Sequence, residues 1–222
     1  MNSTTSLLLL ELVICLITQI FLYKNYKTSG LYVFIIISLI LTSLMSLKTI
    51  TLYNFDINLG NIPLVTIFTS TNILIQKNGP ETTKKLILTI SATYLISYAI
   101  MYLIHLMEPS NINLFTNASY DNIFADSLRM YFANFVTILY SLLLNSKLYY
   151  YLKKMKNNIL ISNLFSTIII QFLASIIFGL TAYAFIKEPI DIIKIIMIRY
   201  LMSLIVGLLG TISIYLTKKV TE

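Results

Sequence analysis

The sequence predicts an all-α integral membrane protein, on three observations. Of 222 residues, 57% are hydrophobic and only 11% charged, with a mean hydropathy of +0.82. A soluble domain carries roughly 25% charged residues, so this chain cannot cover a surface with groups that water solvates. The apolar residues gather in runs close to the ~20 that a spanning helix needs. Lys and Arg fall mainly in alternate gaps between those runs, the pattern expected when cytoplasmic loops retain basic residues.

Seven runs follow in order, at about 5–23, 31–50, 62–76, 86–107, 128–150, 159–186 and 191–217. The first, opening "MNSTTSLLLL", has no basic leading region and no small-residue cleavage site behind it, so a retained helix is expected. The third is short after Asn61-Ile62-Pro63. It is a tilted or broken helix, or it extends back through "TLYNF"; six spans is the alternative count if it does not cross. The longest polar stretch, about 108–127, is expected to be a loop with a short interfacial helix around "YDNIFADSL". Its Asn117-Ala118-Ser119 fits a glycosylation sequon, a pattern short enough to arise by chance. Residues 1–222 are expected to form a single polytopic transmembrane domain.

Orientation follows from the basic residues. Lys24 and Lys27 occupy the first gap, Lys77, Lys84 and Lys85 the third, Lys147, Lys153, Lys154 and Lys156 the fifth, and Lys218 and Lys219 follow the last run. The second gap has Lys48 alone, and the fourth has Glu108, Asp121 and Asp126 before Arg129. The sixth, with Lys187 and Lys194, does not discriminate. The amino terminus is therefore expected outside and the carboxyl terminus in the cytoplasm. The net charge of +7 is then a property of loops, not a nucleic-acid footprint. Cys15, the single cysteine, lies inside the first run and reads as a buried structural thiol.

The chemistry lies in polar side chains within the apolar runs. "TSTNILIQKNG" places Asn72 and Gln76 one helical turn apart. Thr66, Thr69, Asn72 and Gln76 share one face of the third run, and Asn134, Thr137, Ser141 and Asn145 one face of the fifth. Asn163, Thr167 and Gln171 do so on the sixth, with Ser166 beside them. Three such stripes can line a common cavity, or each side chain can simply bond a neighbouring helix. Arg199 stands about nine residues into the last run, where a guanidinium needs a polar interior, a pair or a ligand. Arg129 opens the fifth run, where an interfacial anchor is the default. His105 ends the fourth run, and Tyr94 and Tyr98 either pack or stack on a planar ligand. No H-E-x-x-H pair, phosphate-cradling glycine loop or Gly-x-Ser-x-Gly elbow is present, and apart from Asp191 at the very start of the last run Glu11 is the only carboxylate within a run. An enzyme is not expected, and neither is a cofactor.

"IPLVTIFTSTNILIQKNGPETTKKLI", "SLRMYFANFVTILYSLLLNSKLYYYLKK" and "NLFSTIIIQFLASIIFGLTAYAF" resemble, in order and spacing, the queuosine precursor transporter family, also named for vitamin uptake. The resemblance covers about 60–217 and implies a fold similar to the substrate-binding subunits of energy-coupling-factor transporters. It also implies a bacterial inner-membrane location and import of a 7-deazaguanine-type base: queuine, or its 7-cyano or 7-aminomethyl relative. The partners implied are thus a small planar nucleobase-like substrate and the lipid bilayer, with no nucleic acid. A binding subunit docked on an energising module, or a relative that does not transport, is the alternative.

The family's Asp and Glu positions in the first segment are Asn72 and Gln76 here, with Gly79 kept. Arg129 matches a family arginine, and a Ser-Gln-x-x-Asp pattern appears as Ser141, Leu142 and Asn145. In the third segment Ser166, Thr167 and Gln171 match, and Ala174 replaces the acid. The family's arginine before Ser-Thr is missing, since Ser162 and Asn163 stand there. Its late lysine and Thr-Pro step are missing too: Thr211 precedes Ile212, and Arg199 lies one turn from the lysine position. The expected substrate contacts are Asn72, Gln76, Arg129, Asn145, Ser166, Thr167, Gln171 and Arg199. Neutral residues at four acidic positions point to an uncharged precursor or a related planar base, because an amide cannot give an ammonium a charge-assisted bond.

Overall fold

The computed structural model describes residues 3–46, 48–52, 55–107, 127–156 and 158–219. Its elements are α1 (Ser3–Met45), β1 (Thr49–Leu52), β2 (Phe55–Asn58), α2 (Asn61–His105), α3 (Ser127–Lys156), α4 (Ile159–Tyr183) and α5 (Pro189–Lys219). Large apolar side chains such as Leu7, Ile96, Phe132 and Leu201 face outward, while Gln19, Asn72, Asn145, Asn163, Gln171 and Arg199 are buried. That distribution is the reverse of a soluble protein's and suits a chain solvated by lipid. Four helices, α1, α2, α4 and α5, are long and apolar enough to cross a membrane. The molecule is a multi-pass, essentially all-α membrane protein.

Two helices are each broken at one residue. Within α1, Lys27 has φ 52 and ψ −132, and within α2, Gly79 has φ 77 and ψ 170. The second conformation is open essentially to glycine alone. Pro80 follows it and restarts the helix without needing an N–H partner. The five helices thus comprise seven straight limbs among the described residues: 3–26, 28–45, 61–78, 80–105, α3, α4 and α5. Nδ2 of Asn78 donates to Oη of Tyr32 at 3.3 Å, which sets both breaks at one end of the bundle, hereafter the break end. The β1–β2 hairpin lies at the other. It is antiparallel, with Thr49 opposite Asn58, and Asn58 Nδ2 ties it to the Ser46 carbonyl at 2.8 Å.

Local signals set the remaining helix starts. Oδ1 of Asn158 caps α4 by accepting from the Leu160 and Ile161 amides at 3.0 and 3.2 Å. Pro189 opens α5, and Asp191 sits in its positive first turn.

The limb 61–78 is the axis of the bundle: every residue from Asn61 to Ile75 is buried. Gln19 of α1, Asn145 of α3 and Asn163 of α4 hydrogen-bond to it, and Gly210 of α5 packs against its Thr69. Its shortness follows from this position, because a helix enclosed by protein needs no long apolar face toward lipid.

Several boundaries differ from those the sequence predicts. The second run, expected at 31–50, ends as helix at Met45, and the alternative helix through "TLYNF" is replaced by the hairpin. There Thr51 Oγ1 bonds Asp56 Oδ1 at 2.8 Å. The gaps expected at 24–30 and 77–85 are helical apart from the single residues Lys27 and Gly79. The sixth run ends at Tyr183, short of 186. The polar stretch 108–126, with its interfacial helix and sequon, lies outside the described residues.

Candidate functional site

Two polar layers cross the interior at different depths. In the layer nearer the break end, Nδ2 of Asn145 donates to Oδ1 of Asn72 at 2.7 Å, and Nδ2 of Asn72 donates to Oδ1 of Asn163 at 2.7 Å. Nδ2 of Asn163 donates to Oγ1 of Thr211 at 2.8 Å, which passes its own proton to the Gly207 carbonyl at 3.1 Å. The bonds run in one direction through α3, α2, α4 and α5. Beside them Nε2 of Gln76 donates to Oη of Tyr149, and Nε2 of Gln19 donates to Thr69 and Ser70 at 3.0 and 2.8 Å.

Close backbone approach makes this layer possible. A Cβ on Gly207 would lie 2.4 Å from Cγ2 of Thr167, and one on Gly210 would lie 2.7 Å from Cγ2 of Thr69. Only the absence of a side chain lets α5 come near enough for Thr211 to reach Asn163.

The second layer lies nearer the hairpin, and its side chains are open. Asn72 with Asn145 and Gln76 with Tyr149 define a constant register between α2 and α3 that brings Asn134 level with Asn61. Thr69 beside Gln19 puts Glu11 at the same level. Gly207 beside Thr167 and Val65 adds Ser203 and Gln171. This level is about 16 Å from Asn72 along α2, at 1.5 Å per residue. Among the described residues, no hydrogen-bond partner meets Glu11 Oε1, Asn61 Oδ1, either amide atom of Asn134, Gln171 Nε2 or Ser203 Oγ, all of them buried. Arg199, one turn closer to the hairpin, has its guanidinium carbon 3.6 Å from the Phe178 ring centroid and its Nη1 unpartnered.

A cavity of about 850 Å³ opens at this end. Asp56, Asn58 and Asn61 line it on one side, Phe178, Tyr183 and Arg199 on the other. The volume suits a ligand the size of a nucleobase or a vitamin.

The sequence-predicted residues divide between these places. Asn72 and Asn145 join each other, and Ser166 and Thr167 flank them: Ser166 Oγ bonds the Asn163 carbonyl at 3.1 Å, and Thr167 fills the notch at Gly207. Gln76 belongs with Tyr149, and Gln171 with the open layer. Arg199 lines the cavity. Arg129 is exposed at the head of α3, yet Tyr183 lies within electrostatic reach of both it and Arg199. The three polar stripes therefore do not line one cavity; in the deeper layer they bond to each other. Tyr94 and Tyr98 stack on protein, with Tyr131 at 5.7 and 4.6 Å between ring centroids.

Sequence reasoning missed Gln19, Asn61, Tyr149 and Ser203. Gln19 and Ser203 belong to no polar stripe in their runs, and Asn61 looked like part of a turn before Pro63. Asn163, Thr211 and Asn134 were visible as stripe or motif positions but not as contacts.

A membrane-spanning helical bundle with a buried polar interior and a small-molecule-sized cavity is the arrangement a small-solute membrane transporter needs. The profile described as "Putative vitamin uptake transporter" matches residues 58–217, and the chain belongs to that family. The chain is also 27% identical over 212 residues to a protein of Bacillus subtilis (strain 168) named "Probable queuosine precursor transporter". That match covers 93% of this chain and 91% of the relative. No solved structure matches. The family is one of transporters, not enzymes.

Proposed function

We propose that the protein imports an uncharged 7-deazaguanine-type precursor of queuosine, with 7-cyano-7-deazaguanine the best fit. The observation that carries this is the relay from Asn145 through Asn72 and Asn163 to Thr211. The relay is neutral where the family resemblance expects acids; among the described residues the carboxylate that joins the second layer is Glu11 of α1, which does not line the cavity. Queuine and 7-aminomethyl-7-deazaguanine carry a protonated amine and would need an anionic partner there. The seven limbs each cross a bacterial inner membrane within a single domain, in a fold like the energy-coupling-factor binding subunits. The amino terminus and hairpin are outside, and the break end, with Lys24, Lys27, Lys77, Lys84 and Lys85, is in the cytoplasm. Substrate enters from the hairpin end while the amide relay closes the other, one half of an alternating-access cycle.

Uptake of labelled 7-deazaguanines by cells expressing this chain alone tests the proposal. Accumulation of the 7-cyano base above both amines is expected. No accumulation of any of them overturns the substrate. Accumulation only with a co-expressed energising module makes the chain a binding subunit.

A further inference from the structure

The cavity at the hairpin end has two lining side chains more than nine-tenths buried and each incomplete: Nη1 of Arg199 and Oδ1 of Asn61. Phe178 occupies one face of the guanidinium, which leaves the N–H edge free for an acceptor in its plane. An arginine does not shed its proton, so this donor stays switched on. The acids at the mouth are engaged elsewhere: Asp191 pairs with Lys194 at 3.0 Å and Asp56 accepts from Thr51 at 2.8 Å. Among the buried side chains of the lining one donor and one acceptor thus lack a partner, while Lys187, also in the lining, lies over the Tyr183 ring.

We propose that this cavity is a loading site for a neutral planar ligand presenting a lactam edge. The ligand's carbonyl oxygen accepts from Arg199, and its neighbouring N–H donates to Asn61. A carboxylate would satisfy Arg199 but has no N–H for Asn61, and an ammonium would meet Arg199 with like charge. This assignment rests on the transport function above and deepens it. It places first recognition about 16 Å from the amide relay and makes Arg199 and Asn61 the residues that sort ligands on entry.

The test is equilibrium binding to the purified full-length protein, with 7-cyano-7-deazaguanine and hypoxanthine as lactams and benzoate as the anion. Both lactams are expected to bind at least tenfold more tightly than benzoate. Arg199→Gln and Asn61→Leu should each weaken lactam binding at least tenfold, with Asn61→Leu also narrowing the margin over benzoate. Phe178→Leu, which keeps the charge and removes the stack, should weaken it by a smaller factor and guards against misfolding of the arginine variant. Equal binding of benzoate, unchanged lactam binding in all three variants, or no lactam binding at all overturns the loading site. Cellular uptake of the 7-cyano base with unaltered variants sinks this inference alone. Arg199-dependent lactam binding without uptake sinks the transport function alone.

Discussion

Asn72 and Asn134 carry the same amide on neighbouring helices and are equally buried, at 1% exposure each. One is hydrogen-bonded through both its oxygen and its nitrogen, and the other through neither. Composition does not separate the two layers, since both are built from Asn, Gln, Ser and Thr. Backbone proximity does. At Asn72 the glycines of α5 draw four helices into hydrogen-bond range, whereas near Asn61 and Arg199 the bundle surrounds open volume. Satisfied amides fasten helices together; unsatisfied ones, held at a cost, are what a ligand would complete.

Four substitutions probe that contrast, in order of expected effect. Asn72→Leu removes the middle of the relay and strands the amides of Asn145 and Asn163. It should cost about 2–4 kcal/mol, at ~1–3 per stranded group, seen as a large fall in unfolding temperature in detergent. An unchanged temperature would mean that the deeper layer is no fastening. Gly207→Ala drives a methyl into Thr167 and should cost about 1–3 kcal/mol, and Thr167→Ser in the same chain should recover part of it. Asn134→Leu makes the opposite case. Removing two unpartnered atoms should leave stability unchanged or raise it by up to about 1 kcal/mol, while uptake of the 7-cyano base falls. Destabilisation equal to that of Asn72→Leu would erase the distinction between the layers. The smallest effect is expected from Lys27→Gly, which relieves a side chain at φ 52 and should gain roughly 1 kcal/mol or less.

The broad architecture was legible in the sequence because run length and charge placement answer directly to membrane thickness and topology. The Gly79-Pro80 break was legible as a turn, though not as a turn of one residue. The break at Lys27 had no such signal, because nothing in "KNYKTSG" marks which residue leaves the helix. The hairpin was obscured because its first strand, Thr49–Leu52, follows the second run with only Ser46 and Lys48 as polar interruption, too little to mark a turn. At the site, periodicity found the stripes of α2, α3 and α4 but was silent on what each faced. A 3.6-residue repeat gives direction around an axis and not distance across a gap. Arg199 could be singled out because a buried charge stands out in any apolar run. Asn61 could not, because its importance comes from a cavity assembled from segments more than a hundred residues apart.

The enclosed limb 61–75 has a consequence for biogenesis. It leaves the ribosome long before α3, α4 and α5, which supply Asn145, Asn163 and Thr211. Until those helices are made, Asn72 has none of its final partners, and its amide is costly to leave in lipid. Gln19, already synthesised, is available to it, bonding Thr69 and Ser70. That early pairing gives the growing chain a first interhelical latch, which holds the future axis against α1 until the rest of the bundle closes around it.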